Sequence, residues 1–168
     1  LIRDFNNSKG PELAKVTVVE FFDPECEGCS AFYPHLKKVL NEYDGHIRFV
    51  ARYMLYHRSS QMAAMASEAA GKQGKFWEFH DKLYQNQTSL DEGSFEKFAQ
   101  QLNLDVPAFQ ECFASQKYTK QVEQDLEDGL RAGVRGTPTF FLNGNRIPGV
   151  IPQTVLESVI QSVSKQEK

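Results

Sequence analysis

The sequence predicts an α/β fold interrupted by an all-helical segment, and three observations carry that reading. Strand-like apolar runs stand near both ends, Lys15 to Phe22 and His46 to Tyr53 early, and Thr139 to Leu142 late. Between them, from Ser59 to about Ala132, apolar residues recur at helical spacing. A Cys-x-x-Cys pair, Cys26-Glu27-Gly28-Cys29, lies where the first strong strand gives way to a helix.

Lys15 to Phe22 is rich in Val and Phe and reads as a buried central strand. Asp23-Pro24-Glu25 then turns the chain into Cys26. Phe32, Leu36, Val39, Leu40 and Tyr43 have helical spacing from Cys29 onward, with Asp44-Gly45 as the stop. Pro34 lacks a backbone donor and predicts a kink in this helix. His46 to Tyr53 alternates apolar with polar residues, as a second strand does. A strand, a helix and a strand form a βαβ unit whose right-handed crossover makes the strands parallel. The Cys pair then sits at the carboxyl end of the first strand, where sites of open α/β sheets gather.

The helical segment breaks near Gly71 to Gly74, Gln85 to Gly93 and Asn103 to Pro107, which predicts four or five helices. Ser94 is the expected N-cap of one. Met62, Met65, Phe76, Trp77 and Phe79 read either as core or as an adaptable peptide groove. The last part returns to strand patterning: Thr139 to Leu142, a turn at Asn143-Gly144, and a partner strand at Asn145 to Ile147. A helix from about Pro152 closes the chain, with Ser164 to Lys168 expected to fray. The chain therefore divides into a discontinuous α/β domain, 1–58 with 133–168, and a helical insertion, 59–132.

Composition narrows the function. The chain has 168 residues, 40% of them hydrophobic, enough for one well-packed domain but cramped for two. Net charge is −3 and the basic residues are dispersed, which argues against nucleic-acid binding and a polybasic membrane patch. No apolar run reaches the roughly 18 residues of a membrane span. Leu1-Ile2-Arg3-Asp4 lacks a signal-peptide pattern, and a start without Met leaves a removed leader or anchor open. Three cysteines are too few for a disulfide scaffold; Cys112, on a helical stretch, is expected to be a small buried apolar residue.

Two thiols three positions apart at a strand-to-helix junction can close a disulfide. The first of them stands at a helix N-terminus, where unpaired N–H groups and the helix dipole favour a thiolate. Far downstream, Gly136-Thr137-Pro138-Thr139-Phe140-Phe141 opens the late strand with a proline. Within a redox fold that Thr-Pro bond is expected to be cis and to expose backbone beside the Cys pair.

Strand, Asp-Pro-x-Cys-x-x-Cys, helix, strand, helical insertion, Gly-Thr-Pro-Thr-Phe-Phe-Leu-Asn-Gly and a closing helix together resemble the DsbA-like branch of the thioredoxin superfamily, over nearly the whole chain. The resemblance implies a thioredoxin fold with an inserted all-helical subdomain, and a thiol:disulfide oxidoreductase of the bacterial periplasm or cell surface. It implies Cys26 as the exposed attacking sulfur and Cys29 as the buried resolving one. Pro138 becomes the cis-proline facing them, with Thr137 and Gly136 lending backbone to an extended substrate. Glu20, six residues before Cys26, matches the family's buried acid, the alternative being a strand residue that reaches solvent at a sheet edge. Unfolded or cysteine-containing proteins are the implied substrates, with a membrane redox partner and no cofactor.

The chain departs from the strongly oxidising members between the cysteines. Those carry Pro-His there, and this sequence has Glu27-Gly28 flanked by Glu25 and Asp23. Each carboxylate some 7 Å from the sulfur should disfavour the thiolate by roughly 0.5 to 1 kcal/mol, which predicts a weaker oxidant. Arg135 either offsets this by pointing at Cys26 or faces water. Two alternatives stand beside the enzyme: Cu(I) or zinc held by the two thiolates, and a redox-inactive chaperone-like binding module. Zinc would need further ligands from Cys112, His35, His46, His57 or His80, none with a second ligand at motif spacing, and each lone His reads as a surface or capping residue.

Overall fold

The computed structural model describes residues 1–165; the expected fraying of 166–168 lies outside the described residues. Five strands form one sheet: β1 (Asn7–Lys9), β2 (Val16–Phe22), β3 (Ile47–Tyr53), β4 (Thr139–Leu142) and β5 (Asn145–Pro148), in the order β1-β3-β2-β4-β5. β2 pairs parallel with β3 and antiparallel with β4, so the most apolar strand is central. Helix α1 (Glu27–Glu42) makes the crossover from β2 to β3 and runs on through Pro34. Between β3 and β4 come α2 (Ser60–Lys72), α3 (Phe76–Gln85), a 3₁₀ turn at Gln87–Ser89, α4 (Glu92–Gln101), α5 (Val106–Ala114) and α6 (Thr119–Arg131). Helix α7 (Gln153–Lys165) follows β5 and carries regular backbone past the point where the sequence suggested fraying.

Alternation along β2 divides the interior. Val16, Val18 and Phe22 face a core shared with Leu36 and Val39 of α1, Phe140 of β4, and Leu156 and Ile160 of α7. Val19 and Phe21 face the other way, against Val134, Phe141 and Leu126 of α6. On that side Gly129 brings α6 close: a Cβ there would stand 3.0 Å from the Phe21 ring. The inserted helices have a core of their own around Phe79, Phe95, Phe98 and Phe109. Ala64, Met65, Phe76 and Tyr84 nevertheless join the core of the sheet.

Several expectations need correction. β1 has no apolar signal, because Asn-Ser-Lys is a short polar edge; it is held by antiparallel pairing with Phe49 to Ala51. The chain leaves it through Gly10 at φ +89°, where a Cβ would fall 1.9 Å from the Ile47 carbonyl oxygen. Ser94 is not an N-cap. Asp91 caps α4 by accepting the Ser94 N–H at 2.8 Å, and the Ser94 hydroxyl accepts the Asp91 N–H at 2.8 Å in return. The break between α5 and α6 lacks glycine and proline, and Gln116 turns it at φ +53°. Cys112 is half-buried at the border of the helical core. Phe76 and Phe79 enter separate cores while Met62 is exposed, so the five-residue stripe is no single groove.

Arg52, on the α6 side of β3, is completely buried. Its guanidinium donates to Asp125 at 2.8 Å and Asp128 at 2.6 Å on α6, and to the Leu1 carbonyl at 2.8 Å. Asp125 also accepts the Tyr53 N–H at 3.1 Å, so this cluster fastens α6 and the N-terminus to the sheet. Removing one partner of such a pair strands a buried charge. Arg52→Ala should lower unfolding stability by about 3 to 5 kcal/mol, read as an earlier urea midpoint; a loss under about 1 kcal/mol would show that the cluster holds nothing.

Candidate active site

β2 ends at Phe22, and the next turn delivers Cys26 to the first position before α1. Cys26 N–H donates to the Asp23 carbonyl at 2.9 Å, and Ser30 N–H to the Cys26 carbonyl at 3.1 Å. The Cys26 sulfur is the side-chain cap of α1: Sγ accepts the Cys29 N–H at 3.1 Å. A sulfur in that place gains from the helix dipole as well as from the hydrogen bond. Both cysteines are free thiols here. Cys26 is 6% exposed and Cys29 not at all, so the attacking sulfur expected in the open is nearly covered.

The cover comes from the opposite end of the chain. The Thr137–Pro138 peptide is cis, and Cys26 Sγ lies 3.5 Å from the Thr137 carbonyl oxygen. A Cβ on Gly28 would stand 3.6 Å from Pro138 Cδ, which shows how closely the proline faces the Cys-x-x-Cys turn. Gly136 is exposed, and its carbonyl accepts the Thr139 hydroxyl at 2.7 Å. Arg135 does not reach Cys26; its guanidinium donates to the carbonyls of Leu130 and Val134 at 3.2 and 2.9 Å.

The two thiols are driven apart in acidity. Cys26 is pulled down to about 6 by the hydrogen bond from the Cys29 thiol, against the upward push of burial, with further help from Thr137 and the Cys29 N–H. Asp23 opposes the thiolate, as the sequence suggested, but its charge is the weaker effect. Glu25 turns away to accept from Ser59 N–H at 3.0 Å and Ser60 Oγ at 3.1 Å, and Glu27 is exposed. Cys29 is pushed far above its ordinary range by its bond to Cys26, by burial and by Glu20.

Glu20 pairs with Ala51 on one side and Phe140 on the other, so it cannot be an edge residue. It is 1% exposed, and its Oε2 has no hydrogen-bond partner. Burial, and then the charge of Cys26, raises its carboxyl to about 8. Tyr84 and His80 of α3 bring two more buried unpartnered atoms to this region, with ring centres 4.4 Å apart. His80 is thus no surface residue; it is packed among Phe22, Tyr33, Phe76 and Trp77.

The turn itself is anchored by residues that spacing alone could not nominate. Gln87 Nε2 donates to the carbonyls of Pro24 and Cys26 at 3.0 and 2.9 Å. Buried Asp23 accepts from Glu25 N–H, Tyr56 N–H, the Ser60 hydroxyl and His57 Nδ1. Of the residues raised as zinc ligands, none gathers at the cysteines; among the described residues, Asp23, Glu25 and His57 are the three whose ligand atoms come within 4.8 Å of one another.

Residues 7–162 match the family model described as thioredoxin. The chain belongs to the thioredoxin family. Solved structures share its fold. A thioredoxin-like oxidoreductase from Silicibacter pomeroyi superposes with a TM-score of 0.84 at 27% identity, covering 95% of this chain and 92% of that one. BdbD from Bacillus subtilis, in its oxidised form, superposes with a TM-score of 0.83 at 25% identity over 94% and 91%. Among curated proteins, the Na(+)/H(+) antiporter NhaA 3 of Salinispora tropica is 37% identical over 162 residues, 95% of this chain. The thioredoxin chain spans about a quarter of the length of the curated relatives it matches.

Two outcomes follow from the acidities. Alkylation by iodoacetamide, with Cys112 replaced by Ala, should rise through a midpoint near pH 6 and plateau above it, since the thiolate is the nucleophile. A midpoint near the ordinary 9.0 would mean that the Cys26 hydrogen bonds are ineffective. Glu20 is raised on folding from 4.5 to about 8, so the unfolded chain releases its proton first as pH rises. Its stabilising contribution is whole below pH 4.5 and is lost up to about pH 8, at about 1.4 kcal/mol per unit at the steepest. In denaturant melts of the reduced protein, Glu20→Gln should flatten that slope, and equal slopes would contradict it.

Proposed function

We propose that the protein is a thiol:disulfide oxidoreductase acting on protein substrates through Cys26 and Cys29. The observation that carries the proposal is the opposed acidity of two sulfurs that share one helix turn, the partly reachable one ionised and the buried one protonated. Substrate reduction begins when the Cys26 thiolate attacks a substrate disulfide sulfur. The S–S bond breaks, one substrate thiolate leaves and takes a proton, and a mixed disulfide remains. Cys29 then surrenders its proton and attacks Cys26 Sγ; the second substrate thiolate leaves, with the substrate reduced by two electrons and the protein oxidised.

In the opposite direction a substrate thiolate attacks Cys26 of the oxidised pair and Cys29 departs. A sulfur whose thiolate is so disfavoured needs a proton as it leaves, and in this reading Glu20, held protonated up to about pH 8 and felt electrostatically by Cys29, supplies it. Thr137 and Pro138, with Gly136 beside them, give an extended substrate backbone a place to pair over Cys26. A membrane redox partner that resets the pair and a periplasmic or cell-surface location complete the reading; its support is the DsbA-like kinship and the need for an oxidising compartment.

A Cys26 acidity near 6 falls between values of about 3.5 for a strong oxidant and about 7 for a reductant of this superfamily. That supports an intermediate potential, below the Pro-His members. Titration in glutathione buffers, with Cys112 replaced by Ala, should give about −180 to −270 mV. A value near about −120 mV would overturn the weaker-oxidant reading, and failure to close the disulfide would overturn the function itself. Glu20→Gln should alter the pH profile of Cys29 release; an unchanged profile removes Glu20 from the mechanism.

A further inference from the structure

We infer that His57 is a positioning residue for the reactive sulfur: clamped on Asp23, its imidazolium cancels the buried carboxylate that opposes the Cys26 thiolate. The inference rests on the proposed role of Cys26. Asp23 is wholly buried and accepts two backbone N–H groups, and as a carboxylate it takes the Ser60 hydroxyl and His57 Nδ1 as its other donors. Three of those donors, Glu25 N–H, Tyr56 N–H and the Ser60 hydroxyl, are neutral. The fourth is His57 Nδ1 at 2.8 Å, the one partner able to bring a positive charge. Asp23 is also the residue whose carbonyl holds the Cys26 N–H, so its charge lies at the foot of the sulfur's own turn.

The geometry suits a charge that comes and goes. His57 lies on the loop between β3 and α2, and its side chain is 49% exposed, so it exchanges protons with solvent while Asp23 keeps it in place. The titratable and charged groups facing it are Asp23, Glu25 and Cys26, all from the turn before α1. All three favour the imidazolium, the hydrogen bond to Asp23 most, against a small opposing effect of burial. Below the histidine's raised titration point the Asp23–His57 pair is close to neutral and the thiolate is favoured. Above it Asp23 carries an uncompensated negative charge and the thiolate loses that support.

Two substitutions with Cys112 replaced by Ala separate charge from structure. His57→Gln retains an N–H for Asp23 but no charge; His57→Lys retains the charge and does not titrate in this range. Thiolate ultraviolet absorbance followed against pH should show the Gln variant with Cys26 about three- to tenfold less acidic, and the Lys variant within about twofold of wild type. In glutathione buffer at neutral pH or below, the Gln variant should be more reducing by about 15 to 30 mV, that fold-change converted at 29.6 mV per decade. Unchanged Cys26 acidity in the Gln variant would overturn the inference, as would equal shifts in both variants, which would mark a structural role. Absence of disulfide exchange in wild type would instead sink the proposed function, since the absorbance titration does not depend on turnover.

Discussion

When Cys26 Sγ accepts the Cys29 N–H at 3.1 Å, the first turn of α1 gains its cap and the sulfur gains a reason to ionise. Most of the site can be derived from that contact. The cap requires Cys26 to stay extended while Glu27 begins the helix, and its backbone is indeed extended at φ −73° and ψ 117°. An extended residue at this point needs a fixed approach, and the bonds from Asp23 and Gln87 fix the three preceding residues on both sides. The helical insertion contributes here, since His57, Ser60 and Gln87 all come from it or from the loop that enters it.

Beneath the sulfurs the sheet imposes an opposite constraint. A carboxyl on the central strand has neighbours on both sides and no route to solvent, so Glu20 is favoured as the neutral acid. Both constraints act on Cys29, which donates its proton in hydrogen bonding to Cys26 and feels the charge of Glu20. Pairs of groups pushed apart in this way are how a fold assigns donor and acceptor at neutral pH.

Much of this was legible in the chain. Val16 to Phe22 announced a central strand, Asn143-Gly144 a hairpin, and the helical spacing from Ser59 its own layer. The acidic turn was legible too, but not its outcome: counting Asp23, Glu25 and Glu27 as equals overlooked that Glu25 is occupied by Ser59 and Ser60. What sequence could not supply are partners brought from 34 and 61 positions away, His57 on Asp23 and Gln87 on Cys26. His80 and Arg52 were hidden for a related reason. Each is polar by type and buried by context, His80 in a ring of aromatic side chains and Arg52 between two aspartates.

In the proposed exchange, exposure sets the order in which the sulfurs work. A disulfide sulfur must be approached along the line of the bond it breaks, and Cys29, wholly enclosed, admits no such approach from a protein substrate. Cys26 admits it only past Thr137, whose carbonyl oxygen lies 3.5 Å from Sγ, and past Pro138, whose Cδ a Cβ on Gly28 would meet at 3.6 Å. In the proposed exchange, the same cover that makes Cys26 less open than its sequence position suggested favours substrate segments that are locally unfolded or loosely held.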